Sequence, residues 1–166
     1  MSARTIKSEP LTVEAFAPFG DVIAAGGGER MMINDGTSER FNDIARIDVG
    51  AEGGRPNLSF VHAQPRALPL TVRMVERHPL GSQAFMPLGP TPFLVLVAPA
   101  GDQVTAADLR AFRTAPGQGI NYRRGVWHHP LIALERVSEF IVIDRGGEGE
   151  NCDEIVFGDD EIVLVG

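Results

Sequence analysis

Cysteine occurs once in the 166 residues, at Cys152. No disulfide can therefore form within the chain, and a lone thiol fits a reducing compartment. Lysine is equally scarce: Lys7 is the only one, so arginine supplies nearly all of the 15 basic residues set against 22 acidic ones. The net charge of −7 argues against a nucleic-acid or anionic-membrane surface, because phosphate binding needs a surplus of cations. No apolar run approaches the roughly 18 residues of a membrane span. The longest, "PFLVLVAPA" at 92–100, has the length of a buried strand. The N-terminal residues lack the basic-then-apolar pattern of a secretory signal, so a cytoplasmic protein is expected. Two catalytic signatures are also missing, a glycine-rich phosphate loop after a strand and a Gly-x-Ser-x-Gly elbow, which counts against nucleotide-dependent and serine-hydrolase chemistry.

Turn formers, by contrast, are plentiful. The 19 glycines and 12 prolines are scattered along a chain that is 43% apolar, a pattern of many short strands around a real core. No repeat or low-complexity linker interrupts it, and one domain is expected over residues 1–166. Thr12 reads as the N-cap of a short helix closed by Gly20. Thr105, with Asp108 three residues on and the Leu109–Phe112 pair behind it, predicts a helix over 105–115. Strands are expected around Met32, at 44–49, at 57–63, at 70–78, from "SQAFMPL", within 121–135, at 138–147 and twice after Cys152, the last two joined by a tight Gly-Asp-Asp turn. Leu58, Phe60 and His62 share one face of their strand, which makes His62 a candidate core histidine. The tally of nine to twelve strands and two short helices predicts an all-β sandwich or jelly-roll barrel.

The run "LTVRMVERH" alternates most clearly, with Val72, Met74, Glu76 and His78 on one face. A Glu and a His on an inward face must pair or bind something. With Gln83 after the turn, Glu76 and His78 read either as a hydrogen-bonded polar pair or as ligands of one metal ion. "RRGVWHHP" adds His128, three residues after Gly125. A set of imidazole and oxygen donors suits Ni, Mn, Zn or Fe.

The two segments resemble, in order, the two metal-binding motifs of cupins. Glu76-x-His78-x4-Gln83 stands where those proteins carry His-x-His-x4-Glu, and Arg123-x-Gly125-x2-His128 where they carry Pro-x-Gly-x2-His. Together "EAFAPFGDVI", "ERHPLGSQAFMPL", "INYRRGVWHHPL" and "IDRGG…NCDE" resemble the ureidoglycolate lyase family across nearly the whole chain. The resemblance implies a cupin-like fold, a homodimer and cleavage of (S)-ureidoglycolate to glyoxylate and urea in allantoin breakdown. It implies Glu76, His78, Gln83 and His128 as ligands of a divalent metal, no nucleotide cofactor, and no nucleic-acid or membrane partner. Elimination from a carbinolamide also needs a base, a donor to the departing nitrogen and a carboxylate anchor. Glu76, His78, His128 and Tyr122 are the candidates for proton transfer. Gln83, Arg124 and Arg145 are the candidates for substrate binding, although Arg145 reads equally as a partner of Asp144 or Glu148. Trp127 is expected to pack, His129 to be structural or a dimer contact, and Cys152 to be structural. Two other functions fit the same pocket: an amidohydrolase releasing ammonia, and a non-catalytic cupin that binds a small organic acid.

Overall fold

Six consecutive apolar residues can all be buried along one strand only if both of its faces are covered. Phe93–Ala98 meets that condition. The computed structural model, which describes residues 3–158 and 162–166, covers the two faces with separate cores. In chain order the elements are β1 (Arg4–Pro10), the one-turn helix α1 (Val13–Phe16), β2 (Gly20–Ile23), β3 (Glu29–Ile33), β4 (Ser38–Asn42), β5 (Arg55–Ala63), β6 (Leu70–Thr71), β7 (Met74–Arg77) and β8 (Gln83–Pro87). There follow β9 (Phe93–Ala98), β10 (Arg110–Arg113), β11 (Gly119–Tyr122), β12 (Trp127–His128), β13 (Ile132–Ala133), β14 (Ser138–Gly146), β15 (Asp153–Val156) and β16 (Ile162–Val165).

The larger sheet runs β15-β7-β12-β9-β10-β1-β16-β6, with β13 also on β9. It is antiparallel except where β1 lies parallel to β10 and to β16. The smaller sheet, β2-β11-β8-β14-β5, is antiparallel throughout. A separate hairpin joins β3 and β4.

Alternation along β9 divides the cores. Phe93, Val95 and Val97 pack between the sheets with Phe16, Phe85, Phe112, Ile120 and Phe140; the Phe93 and Phe140 rings meet edge to face at 5.1 Å. Leu94, Leu96 and Ala98 face the other way, against Val75, Trp127, Ile6, Ile162 and Leu164. Those partners come from strands spread across the same large sheet, so the sheet curls over its own second core. The result is the all-β, barrel-like architecture expected from the sequence, with 3-10 turns at Ala51–Gly53 and Ala106–Asp108.

Several local expectations change. Thr12 does cap α1, its hydroxyl accepting from the Ala15 N–H at 3.1 Å. The Thr105–Asp108 capping box also forms, but it closes one 3-10 turn and not a helix over 105–115. The residues behind it become β10, inserted between β9 and β1, where Ala111 and Phe112 are buried into opposite cores. Strand pairing there outweighs the local helix signal. The run over 70–78 is two strands broken at Val72 and Arg73. Val72 and Val75 consequently enter the same core, so Val72 does not share a face with Glu76. Residues 44–49 form no strand. Leu58, Phe60 and His62 lie on the outward face of β5, 69% and 51% exposed for the first two, so His62 is not a core histidine. It sits beside Glu139 on the surface, 3.6 Å from its carboxylate. Of the expected Gly-Asp-Asp turn, Asp159 and Asp160 lie outside the described residues; the flanking strands β15 and β16 pair elsewhere, with β7 and with β1 and β6.

Within 121–135 the predicted single strand is bulged. His128 pairs with Val97 and Ile132 with Leu94, so four residues on one side span three on the other. Pro130, which has no N–H to donate, falls inside the bulge. Because β9 closes both cores, Leu96→Ala should lower unfolding stability by about 2–5 kcal/mol and Phe112→Ala by about 3–5 kcal/mol, read from urea denaturation.

Candidate active site

The turn that leads into β12 sets the position of the site. Val126 donates to the Arg123 carbonyl at 3.1 Å with Gly125 at φ +80 in the third turn position, a type II geometry that favours glycine. The Gly125 N–H then donates to the His78 carbonyl at 3.0 Å, tying this turn to the end of β7. Beyond it His128 is paired directly with Glu76 across the ladder. The smaller sheet supplies the opposite wall: Gln83 on β8 pairs with Tyr122 on β11, whose neighbours Ile120 and Phe85 line the core between the sheets.

The four residues expected as ligands are therefore brought together. Glu76 Oε1 lies 3.5 Å from His128 Nε2 and 3.8 Å from His78 Nε2, and His78 Nε2 lies 3.2 Å from Gln83 Oε1. One donor atom each from Glu76, His78 and His128 falls within a 4.8 Å sphere of separation, a spacing that can hold a metal ion. The other ring nitrogens face backbone carbonyls: His78 Nδ1 is 2.7 Å from Asn151 O, and His128 Nδ1 is 3.0 Å from Val126 O. A carbonyl only accepts, so both Nδ1 atoms carry a proton and both rings turn Nε2 toward Glu76. His128 is 2% exposed and its Nε2 has no hydrogen-bond partner among the described residues. Two imidazole Nε2 atoms, a carboxylate oxygen and an amide carbonyl oxygen thus face one another. This donor set fits a cation, and Nδ1–H to carbonyl contacts are the usual outer support of histidine ligands.

Electrostatics follow from burial. The His128 imidazole beside Glu76, helped by the charges of His78 and His129, holds the Glu76 carboxyl below its ordinary range despite partial burial. Burial pushes His128 down, toward the neutral ring. Burial, with the Glu76 charge, pushes the Tyr122 phenol far up, so it stays protonated. Tyr122 stacks flat on His128, with centroids 4.1 Å apart and planes 10° apart.

The remaining candidates have other contacts. Arg145 is buried and spent on backbone: its guanidinium donates to Ala51 O at 2.9 Å, Glu52 O at 3.3 Å and Glu148 O at 2.9 Å. It clamps the Ala51–Gly53 turn and pairs with neither Asp144 nor the carboxylate of Glu148. Arg124 is exposed and lines a cavity with Asn121 and Ser82. His129 is buried, with its N–H on Leu96 O and its Nδ1 on Pro130 O, which fits the structural role. Trp127 packs in the second core and donates to Gly101 O at 2.9 Å under the Arg77 guanidinium. Cys152, expected to be structural, is exposed, and its thiol reaches Glu76 Oε2 at 3.9 Å.

Asp144 and Asn57 were not singled out from sequence. Asp144 accepts from Asn57 Nδ2 at 2.9 Å and from Gln83 Nε2 at 3.4 Å. An ionised carboxylate only accepts, so it holds the Gln83 amide nitrogen to itself and turns Oε1 toward His78. The readable signal was alternation: Asp144 follows Phe140 and Val142 on the inward face of β14.

A sequence model of the ureidoglycolate lyase family matches residues 3–164. A Burkholderia mallei protein named ureidoglycolate lyase is 55% identical over 169 residues, covering 98% of this chain and 99% of its own length. Proteins of the same name from Stutzerimonas stutzeri and Pseudomonas entomophila are 50% and 49% identical over 162 residues, each covering 98% of this chain and 95% and 97% of their own lengths.

If Asp144 orients Gln83, Asp144→Asn should weaken divalent-cation binding by about 10–100-fold, measured by titrating Co(II) or Ni(II) against a competing chelator. An unchanged affinity with the fold intact would remove Asp144 from the site.

Proposed function

The chain belongs to the ureidoglycolate lyase family, and on that footing we propose that the Glu76–His78–Gln83–His128 cluster cleaves (S)-ureidoglycolate to glyoxylate and urea. The observation that carries this reading is the gathering of Glu76 Oε1, the Nε2 atoms of His78 and His128, and Gln83 Oε1 beside a buried, protonated phenol. The substrate carbon bears a hydroxyl, a carboxylate and a urea nitrogen. In the reaction the hydroxyl proton leaves, C–O becomes C=O, and the C–N electron pair returns to nitrogen, which takes up a proton.

Glu76, ionised at neutral pH, is the acceptor for the hydroxyl proton and returns it to the departing nitrogen. Gln83, held by Asp144, keeps a carbonyl oxygen in the cluster. Tyr122 locks the His128 ring by stacking, and its phenol serves as a hydrogen-bond donor and not as a base. A divalent cation held by Glu76, His78, Gln83 and His128 would supply Lewis-acid polarisation of oxygen donors. The same reading assigns the enzyme to the cytoplasmic recovery of nitrogen from allantoin.

Homodimerisation belongs to this proposal as well. Leu58 and Phe60 on β5 adjoin Ile141, Ile143 and Met86 on the outward face of the smaller sheet. With two of them mostly exposed, they form an apolar patch of the kind that association covers. Among the described residues no helix is long and apolar enough to cross a membrane.

Glu76→Gln should lower kcat by at least about a hundredfold, with urea and glyoxylate released in equal amounts by the unaltered enzyme. Ammonia as the nitrogen product, without urease, contradicts the lyase reading. Dialysis against a chelator should abolish activity until a divalent ion is restored; full turnover in protein that elemental analysis finds metal-free removes the cation and leaves Glu76 and His78 acting directly. Phe60→Glu should convert a dimer to a monomer in sedimentation velocity, and a dimer that persists places the interface elsewhere.

A further inference from the structure

His78 and Gln83 stand at the two ends of the turn made by residues 79–82, so how their side chains meet depends on how that turn is held. Its far end is fixed through Ser82, whose N–H donates to Asp48 O at 2.8 Å and whose Oγ accepts from the Asp48 N–H at 2.8 Å. Gln83 itself is held by Asp144. At the near end the His78 carbonyl accepts from the Gly125 N–H. Between these ties the Leu80 N–H donates to Asn151 Oδ1 at 2.8 Å, across 71 residues of chain. A backbone N–H only donates, so the oxygen of the Asn151 amide is the end that faces the turn.

The same residue touches His78, because Asn151 O accepts from His78 Nδ1 at 2.7 Å. Main chain and side chain of one half-buried residue thus grip the ring and the turn that follows it. Asn151 is itself braced in both chain directions. After it, β15 pairs with β7 with Asp153 opposite Arg77, and Arg77 Nε donates to Asp153 Oδ2 at 2.8 Å. Before it, the loop leaving β14 is held by the buried Arg145, which donates to Glu148 O as well as to Ala51 O and Glu52 O. The Arg145 stem also packs on the turn: a Cβ at Gly81 would lie 2.7 Å from Arg145 Cβ, so glycine is what lets turn and strand come this close. Adjacent residues of β14 therefore serve the two ends of one turn. Asp144 holds Gln83 directly, and Arg145 holds the loop that brings Asn151 to His78.

We propose that Asn151 is a positioning residue of the site, setting the His78 ring through two contacts that act together. Pinned to Leu80 by its side chain, Asn151 keeps its carbonyl on the His78 Nδ1–H, and the ring then holds Nε2 toward Glu76 and Gln83. Loss of the Oδ1 acceptor leaves the half-buried Leu80 N–H unpaired and frees the carbonyl to move off the ring. Histidines in polar sites depend on such outer partners, whose loss lowers activity or cation affinity by about 10–100-fold. The consequence for turnover rests on the lyase reading; the placement of His78 does not.

The test compares Asn151→Ala, which removes the acceptor, with Asn151→Asp, which keeps an accepting oxygen in the same place. Nitrogen-edited NMR of the full chain with labelled histidine reads the imidazole N–H protons, the His78 signal being assigned by its absence from His78→Gln. The unaltered protein should show a hydrogen-bonded His78 Nδ1–H that exchanges slowly with solvent. Asn151→Ala should lose that signal and Asn151→Asp should keep it, while the His128 Nδ1–H, held by Val126 O, persists in both. With the lyase assay, kcat of Asn151→Ala should fall by about 10–100-fold. A His78 signal that is missing from the unaltered protein, survives in Asn151→Ala or vanishes from Asn151→Asp overturns the role of the side chain. Loss of the His78 and His128 signals together means general loosening and overturns it equally. An undiminished kcat despite loss of the His78 signal removes Asn151 from catalysis. If the expected signals are seen but the unaltered protein releases no urea, the lyase reading fails and the positioning of His78 stands.

Discussion

A strand of two residues decides where the chemistry can occur. Trp127 and His128 form β12, wedged between β9 and β7, and its register sets His128 opposite Val97 on one side and Glu76 on the other. Because β9 is buried on both faces, it cannot shift without opening one of the two cores. The pairing of β12 with β9 therefore transmits the rigidity of the core to His128, and the pairing with β7 transmits it to Glu76. Trp127, facing the opposite way into the second core, anchors the same short strand. The bulge around Pro130 lets the chain rejoin β9 as β13 after the wedge.

The polar cluster depends on that wedge and on a set of carbonyls. Asn151 and Val126 each accept an Nδ1 proton, so a histidine on β12 and another just beyond β7 present the same nitrogen to the same carboxylate oxygen. On the facing sheet Asp144 does for Gln83 what the carbonyls do for the histidines. His78, His128 and Gln83 are thus each oriented by a partner that has only one hydrogen-bonding sense. Orientation fixed in this way costs nothing when a ligand arrives, which is the value of preorganisation in a polar site.

The degree to which this was readable from residues varies with the range of the interaction. Glu76, His78, Gln83 and His128 were legible because strand spacing and a glycine turn are short-range features. The Thr105–Asp108 box was equally visible, yet a single 3-10 turn and a longer helix begin with the same residues. Only the demand for β10 beside β9 separates the two, and pairing partners are not written locally. Alternation at 57–63 identified two faces without saying which is inside, and the chain turns Leu58, Phe60 and His62 outward. Asp144 carries no local signal for the same reason: its importance lies in facing Gln83, 61 residues away. Arg145 illustrates the converse, a charged residue beside glycines that suggests an anion site but spends its donors on a turn.

The placement of the inner cluster on β7, β8, β11, β12 and β14 has a consequence for the order in which the molecule assembles. Its members run from Glu76 to Asp144 along the chain, and neither sheet alone holds them all: Glu76 and His128 sit on one, Gln83 and Asp144 on the other. Contacts between such distant segments are entropically expensive and form late in folding. A chain in which only the larger sheet has formed therefore gathers Glu76, His78 and His128 but lacks Gln83 and Asp144. The complete set arrives only when the two sheets dock, which makes the full site a marker of completed folding.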